Sequence, residues 1–167
     1  MKENVLILFK PDVMAKGLSG VVLTRLWQSG LKLVAIRVVK VSRGLAQEHY
    51  RHLQDQPFYN DIVEYLQGKF HGSCPAMALI YSGEGAIKKL RDIAGATNPE
   101  EADPQTIRGA LGRITTAGIF ENVLHVSSDR KEAEREIKLW FEPDDIEDNL
   151  YPVKTKIVKS YQKKIWG

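Results

Sequence analysis

The sequence has little cysteine and no long apolar run. Cys74 is the only cysteine in 167 residues, which excludes an internal disulfide and a multi-cysteine metal site and is typical of a reducing compartment. The apolar run near the amino end covers only residues 5–9, far shorter than a signal-peptide core or a membrane span. We therefore expect a cytoplasmic protein without a membrane partner.

The chain also lacks a block of charge of one sign. Its 24 Lys and Arg residues are interleaved with 21 Asp and Glu residues, and the net charge is +3, so a polyanion as the sole ligand is not implied. The length and the hydrophobic content of 43% predict one buried core. We expect one domain over residues 1–149. The apolar residues of an extension, 150–167, predict that it packs on the domain or on a neighbouring subunit.

Apolar periodicity predicts an alternation of strands and helices. The predicted strands cover residues 5–9, 33–41, 76–81 and 122–126. The predicted helices cover residues 20–29, 45–53, 61–66 and 85–94, and a last helix opens with Asp129 and Glu132 as a capping box. This βαββαβ order predicts an α+β fold, a ferredoxin-like split βαβ with an antiparallel four-stranded sheet and helices on one face.

The usual glycine-rich phosphate cradles are missing. No Gly-x-x-x-x-Gly-Lys-Ser/Thr motif occurs, and the pair Gly83 and Gly85 lacks the third glycine of a dinucleotide fold. A nucleotide would have to be held by side chains, since cations and hydroxyls can also neutralise phosphates. The candidates are Lys10, Arg91, Thr97 and Arg108. Taken alone, Lys10 is more often a solvated strand end, and an arginine on a helix such as Arg91 is more often an ordinary surface residue.

His125 interrupts the apolar strand that leads into the last helix. Such a histidine is either a core residue satisfied by a hydrogen bond or a reactive group facing a cleft. Glu136 in the following helix is the obvious orienting partner, and Ser127 lies between them. A neutral imidazole whose other nitrogen is held by a carboxylate is a competent nucleophile.

The other histidines do not form a metal site by spacing. His49, His52 and His71 match neither a zinc pattern with cysteines nor an HExxH helix. His49 and His52 share one helix face, where two histidines are commonly polar surface.

Six segments in this order carry a family resemblance. They are Leu8-Phe9-Lys10-Pro11-Asp12 with Gly17-Leu18-Ser19-Gly20, His49-Tyr50, Pro57-Phe58-Tyr59, Gly95-Ala96-Thr97-Asn98-Pro99, Thr106-Ile107-Arg108-Gly109, and Asn122-Val123-Leu124-His125-Val126-Ser127. Together they resemble the nucleoside diphosphate kinase family over about residues 4–146, a stronger signal than any single motif.

The resemblance implies a ping-pong phosphotransferase that maintains NTP and dNTP pools. His125 would be the phosphorylated nucleophile, oriented by Glu136 and Ser127. Residues implied to contact the phosphates or the transferred group are Lys10, Tyr50, Arg91, Thr97 and Arg108; Lys10 and Asn122 would reach the sugar hydroxyls, and Phe58 would stack on the base. The partners would be ATP and other nucleoside tri- and diphosphates. Mg²⁺ would be held by nucleotide phosphates and water, with no metal ligand from the protein.

Some positions depart from the family pattern. Two insertions lie within residues 67–75 and 112–121. Val126 stands where the family has a small residue, and the β-branched Val126 would be strained if its φ were positive. The resemblance implies a homo-oligomer, with a hexamer favoured and a tetramer or dimer as alternatives, and the second insertion lies near the expected subunit contacts.

Two other functions remain as alternatives. An inactive nucleotide sensor on the same fold would require the loss of a chemical residue, and none is missing. A nucleic-acid module would use the lysines of the tail, Lys154, Lys156, Lys159, Lys163 and Lys164. That module needs exposed aromatic residues on its sheet, and Phe9 and Tyr81 are too isolated to supply them, so nucleic acid is disfavoured.

Overall fold

The computed structural model of the chain describes residues 2–157. In this part of the chain the strands are β1 (Lys2–Phe9), β2 (Lys32–Val39), β3 (Ala76–Glu84), β4 (Arg113–Ile114), β5 (Phe120–Glu121) and β6 (Leu124–Val126). The helices are α1 (Pro11–Ala15), α2 (Ser19–Trp27), α3 (Arg43–His49), α4 (Tyr59–Leu66), α5 (Ala86–Ala94), α6 (Ile107–Leu111) and α7 (Arg130–Trp140). Short 3₁₀ helices cover Arg51–Leu53 and Pro143–Asp145.

Four strands form the main sheet in the order β2-β3-β1-β6, and every neighbouring pair is antiparallel. β1 is central because its run of apolar residues can be buried on both faces. The predicted ferredoxin-like α+β fold with a four-stranded antiparallel sheet is therefore confirmed.

Helices cover both faces of this sheet, so the prediction of helices on one face was wrong. On one side, Val5, Ile7 and Phe9 of β1 join a core with α2 and α5. On the other side, Leu6 and Leu8 join a core with α3, α4 and the end of α7. The reason lies in β1 itself, because a strand without polar alternation leaves apolar side chains on both faces that must be covered.

The covered sheet also bears on the nucleic-acid alternative. Phe9 and Tyr81, the aromatic residues considered as stacking positions, have no exposed surface. They pack in the core formed with α2 and α5. The sheet therefore offers no aromatic platform at these two positions.

α7 begins where its capping signal predicts. The side chain of Asp129 accepts a hydrogen bond from the backbone N–H of Glu132, at 3.0 Å. From this start, helical spacing turns Ala133, Glu136 and Ile137 toward the sheet, where all three are buried. The cap therefore determines which face of α7 carries Glu136.

Several local predictions needed correction. The predicted helix over residues 45–53 ends at His49 and continues only as a 3₁₀ turn. Residues 95–121, for which the sequence predicted neither a helix nor a strand, contain α6 and a small hairpin formed by β4 and β5. α1 follows β1 after Lys10, in a stretch where the sequence predicted no helix.

The extension is described only as far as residue 157. Leu150 and Tyr151 pack against the core that contains α3 and α4, whereas Ile157 is 89% exposed. Residues 158–167, with Ile165, Trp166 and three of the tail lysines, lie outside the described residues, so packing of the whole extension stays a prediction. Among residues 2–157 no helix is both long enough and apolar enough to cross a membrane.

Candidate active site

His125 lies on β6, opposite Leu8 of the central strand β1. Its side chain is 20% exposed. The ring atom Nε2 lies 2.9 Å from Oε1 of Glu136, which α7 brings back toward the strand. The two residues predicted to form an orienting pair are therefore in contact.

Glu136 is the buried partner of this pair, with 2% of its surface exposed. Burial alone would raise the pKa of Glu136, but hydrogen bonds from His125 and Ser127 and the nearby charge of Arg135 lower the pKa below its usual value. The carboxyl group is therefore ionised and can only accept hydrogen bonds. It follows that Nε2 of His125 carries a hydrogen, so that Nδ1 is the ring nitrogen whose lone pair can attack.

Ser127 fixes the other oxygen of the carboxylate. Its hydroxyl donates to Oε2 of Glu136 at 2.6 Å and accepts from the backbone N–H of Leu6 at 3.1 Å. Ser127 has no exposed surface. Both carboxylate oxygens are therefore held, and the ring of His125 is oriented through a carboxylate that is itself anchored to β1.

His49, which the sequence indicated as polar surface, is fully buried beside His125. The two ring centroids are 4.6 Å apart in an edge-to-face arrangement. Nδ1 of His49 accepts from Nε1 of Trp140 at 3.3 Å, while its Nε2 has no hydrogen-bond partner. Burial, with the nearby groups His125 and Lys10, lowers the pKa of His49 well below its usual range, so a neutral ring packs against the candidate nucleophile.

Backbone strain occurs at Val123 rather than at Val126. Val126 pairs with Ile7 in the sheet, so the concern about its size does not apply. Val123 has φ of +69°, and the N–H of Leu124 donates to the carbonyl of Asn122 at 2.7 Å, which makes a tight three-residue turn. This turn shortens the predicted strand to Leu124–Val126. It is held by a buried Val123 side chain and by the N–H of Lys10, which donates to the Val123 carbonyl.

A cavity of about 450 Å³ lies beside this cluster. Polar side chains contribute one part of its lining, namely Lys10, Tyr50, Thr97, Asn122 and Asp61. Apolar side chains contribute another part, namely Leu53, Phe58, Ile62, Ile119 and Phe120. Tyr50 connects the cavity to the candidate nucleophile, because its ring lies 4.7 Å from that of His49, which in turn contacts His125.

Lys10 is the buried cation of this cavity. It follows β1 directly, and its Nζ donates to Oδ1 of Asn122 at 2.6 Å. Burial and the charge of Arg108 lower the pKa of Lys10 to about 8, although Asp12 opposes this effect. Asp12 is itself buried and accepts from the hydroxyl of Tyr65 at 2.6 Å.

Arg108 and Thr97 lie next to Asn122. The guanidinium of Arg108 donates to the carbonyls of Gly95, Leu124 and Asn122, at 2.6, 2.9 and 3.3 Å. Burial and the charge of Arg91 lower the pKa of Arg108 to about 10, so it stays charged at neutral pH. The Asn122 amide donates to the Thr97 carbonyl at 3.0 Å. Backbone carbonyl groups thus hold the guanidinium of Arg108 in place.

Neither Arg108 nor Arg91 is among the residues that line the cavity, and Arg91 lies farther from the site, on another surface. It is exposed on α5 and lines a second hollow with Lys88, Asp129 and Arg130. Its charge still influences Arg108. Arg91 therefore stands near the candidate site without lining the same cavity.

The side chains that could act as metal ligands indicate which metal ion the site could hold. His49, His125 and Glu136 place one ligand atom each within 4.8 Å of one another, but hydrogen bonds to Trp140 and Ser127 already engage two of these groups. Mg²⁺ prefers several oxygen ligands. Asp61 is the only carboxylate among the cavity-lining residues described, so the protein itself does not supply a magnesium cage there.

Comparison with known proteins agrees with this geometry. The family model described as nucleoside diphosphate kinase matches residues 3–146. The chain is 42% identical over 139 residues to a nucleoside diphosphate kinase of Symbiobacterium thermophilum, covering 83% of this chain and 87% of the relative.

Two solved structures are also similar. The structure of a halophilic nucleoside diphosphate kinase from Halobacterium salinarum in complex with CDP is 34% identical with a TM-score of 0.79, and the match covers 89% of this chain and 93% of that one. A transition state mimic of the Borrelia burgdorferi enzyme with bound vanadate and ADP is 29% identical with a TM-score of 0.78, covering 88% and 91%. The chain belongs to the nucleoside diphosphate kinase family.

Proposed function

We propose that this protein transfers the terminal phosphoryl group of a nucleoside triphosphate to a nucleoside diphosphate through a phosphorylated His125. The observation that carries the proposal is the hydrogen bond between Nε2 of His125 and the ionised Glu136, which leaves Nδ1 as a free nucleophile. Ring contacts through His49 and Tyr50 also link His125 to a cavity that combines a buried cation with apolar walls.

The reaction has two half-steps. In the first, the lone pair of Nδ1 attacks the γ-phosphorus, an N–P bond forms, and the bond to the bridging β–γ oxygen breaks so that the diphosphate leaves. In the second, a terminal oxygen of another nucleoside diphosphate attacks the same phosphorus, and its electron pair replaces the N–P bond. The Nε2–H bond to Glu136 stabilises the positive charge that the ring gains while it carries the phosphoryl group.

The remaining site residues would bind and position the nucleotide. We assign the phosphates and the transferred group to Lys10, Tyr50, Arg91, Thr97 and Arg108, the sugar hydroxyls to Lys10 and Asn122, and the base to Phe58. Lys10, Thr97 and Asn122 form one hydrogen-bonded group with the backbone, which supports this assignment. Phe58 is 46% exposed and is available for stacking. Stacking does not read base edges, so broad base tolerance is expected.

The relatives support nucleotides as substrates. The Halobacterium salinarum enzyme is described with CDP, and the Borrelia burgdorferi enzyme with vanadate and ADP as a transition state mimic. Both chains cover most of the present one at a TM-score of 0.78 or more.

Magnesium is the proposed metal. When bound, Mg²⁺ would neutralise charge on the nucleotide phosphates. Because the cavity-lining residues described here include one carboxylate, the ion would be held by phosphates and water rather than by the protein. A chelator should prevent labelling of His125 by ATP, and added Mg²⁺ should restore it.

We also propose a homo-oligomer in the cytoplasm, with a hexamer favoured over a tetramer or dimer. β2 is an edge strand of the sheet, and Ile36 and Val38 on it are 49% and 58% exposed. An apolar edge strand of this kind is usually covered by a partner. Sedimentation equilibrium should give a multiple of the 18.9 kDa chain mass, and a mass of one chain would contradict the proposal. Cell fractionation tests the location.

The first test is phosphorylation of the protein itself. Wild type incubated with γ-labelled ATP and Mg²⁺ should acquire an acid-labile, base-stable label, and GDP should remove it as labelled GTP. His125→Ala should acquire no label but should still bind ADP in a calorimetric titration, because the cavity contacts remain. Equal labelling of wild type and His125→Ala would contradict phosphorylation at His125.

The second test concerns Glu136. Glu136→Gln should slow phosphorylation of His125 by roughly 100-fold or more, because an uncharged amide neither fixes the tautomer nor stabilises the charged ring. Glu134→Gln, an exposed ion-paired residue on the same helix, is the matched control and should keep the wild-type rate. Single-turnover labelling measures both rates. Similar rates for the two variants would show that Glu136 does not orient His125.

The third test uses pH. Since the pKa of Lys10 is about 8, the fraction of charged Lys10 falls as pH rises through that value. ADP affinity should therefore weaken roughly tenfold between about pH 7 and 9, a range in which the phosphates are already ionised. Lys10→Met should bind more weakly at pH 7 and should lose this dependence. An unchanged pH profile in Lys10→Met would mean that another group titrates.

A further inference from the structure

The two insertions of this chain meet at one buried carboxylate. Glu121, at the end of the second insertion, is 4% exposed. Its Oε1 lies 2.8 Å from Nε2 of His71, which belongs to the first insertion and whose side chain is 8% exposed. Segments about fifty residues apart in sequence are therefore joined directly beside the cavity.

Two cations, Lys16 and Arg113, bind the same carboxylate. Nζ of Lys16, just after α1, and Nε of Arg113, on β4, each lie 2.5 Å from Oε2 of Glu121. Burial would raise the pKa of Glu121, but the hydrogen bonds from Arg113, Lys16 and His71 lower it to about 2. Glu121 is thus a charged acceptor that connects three separate parts of the chain.

The hairpin that ends at Glu121 depends on such an anchor. β4 and β5 are two residues each and pair through Arg113 with Glu121 and Ile114 with Phe120, and Thr115 and Ile119 close the turn with two more hydrogen bonds. A two-stranded ribbon of this length has little stability of its own. The contacts of Glu121 with Lys16, at the end of α1, and with His71 of the first insertion therefore fix the position of the hairpin.

The turn of this hairpin supplies part of the cavity wall. Residues 117–120 line the cavity together with Phe58, just before α4, and Ile62 on α4. Phe120 immediately precedes Glu121 and is 40% exposed. The side chains of Ile119 and Phe120 are apolar, whereas the polar groups for phosphate and sugar lie at Lys10, Thr97 and Asn122.

We propose that Glu121 and His71 act as positioning residues. They hold the hairpin turn in place, so that the turn and Phe120 form an apolar wall against the base of the bound nucleotide. This inference rests on the proposed function and deepens it. The two insertions would then form one unit that contributes to base binding, while phosphate contacts and the chemistry at His125 are left to other residues.

The test separates base contact from phosphate contact. Calorimetric titration measures the affinity of the full chain for ADP and for inorganic pyrophosphate, which has no base. Glu121→Gln and Phe120→Ala should each weaken ADP binding by about tenfold, the size expected for loss of a base contact. Pyrophosphate affinity should stay at the wild-type value. The steady-state KM for nucleotides should rise while kcat at saturation is retained.

Glu64→Gln is the matched control, because Glu64 is a half-buried glutamate of α4 that pairs with Lys69 and has no contact with Glu121. It should bind ADP like wild type. Phe120→Ala removes no hydrogen bond, so it keeps the test valid if Glu121→Gln fails to fold.

Unchanged ADP affinity in Phe120→Ala would overturn the proposal. Equal losses for ADP and pyrophosphate in the variants would overturn it as well. These binding results are independent of His125 labelling, so a wild type that binds ADP but is never phosphorylated would contradict the proposed function alone.

Discussion

The ionised Glu136 in a buried position is the constraint on which the rest of the site depends. A carboxylate with 2% exposure must have partners for both oxygens, because an unpaired buried charge is strongly destabilising. His125 and Ser127 supply these hydrogen bonds, and Ser127 is in turn bonded to the backbone of Leu6. The same contacts that satisfy the carboxylate therefore choose the tautomer of His125 and hold its ring beside the cavity.

Much of this arrangement could be predicted because it depends on local signals. The cap at Asp129 starts α7, and a helical period then places Glu136 on the buried face, seven residues later in the chain. The apolar run before Lys10 predicts a central strand that ends at a polar site. His125 alone could equally be a core histidine, and only its place among the other family segments favoured a nucleophile.

The remaining features depend on contacts between distant parts of the chain. His49 is buried because Trp140, 91 residues later, covers it, so its helix face could not reveal its environment. Glu121 could not be recognised as an anchor because its partners, Lys16, His71 and Arg113, lie on three other segments of the chain. The strained turn at Val123 is held by packing and by the N–H of Lys10, and a β-branched residue gives no local signal for positive φ.

The most direct test of the account asks which ring nitrogen carries the phosphoryl group. Phosphorus NMR of the ATP-phosphorylated protein, with nitrogen-labelled histidine, distinguishes the two sites through the coupling between phosphorus and the bonded nitrogen. The account predicts a phosphoryl group on Nδ1 of His125, because Glu136 holds Nε2. A phosphoryl group on Nε2, or on any other residue, would contradict it.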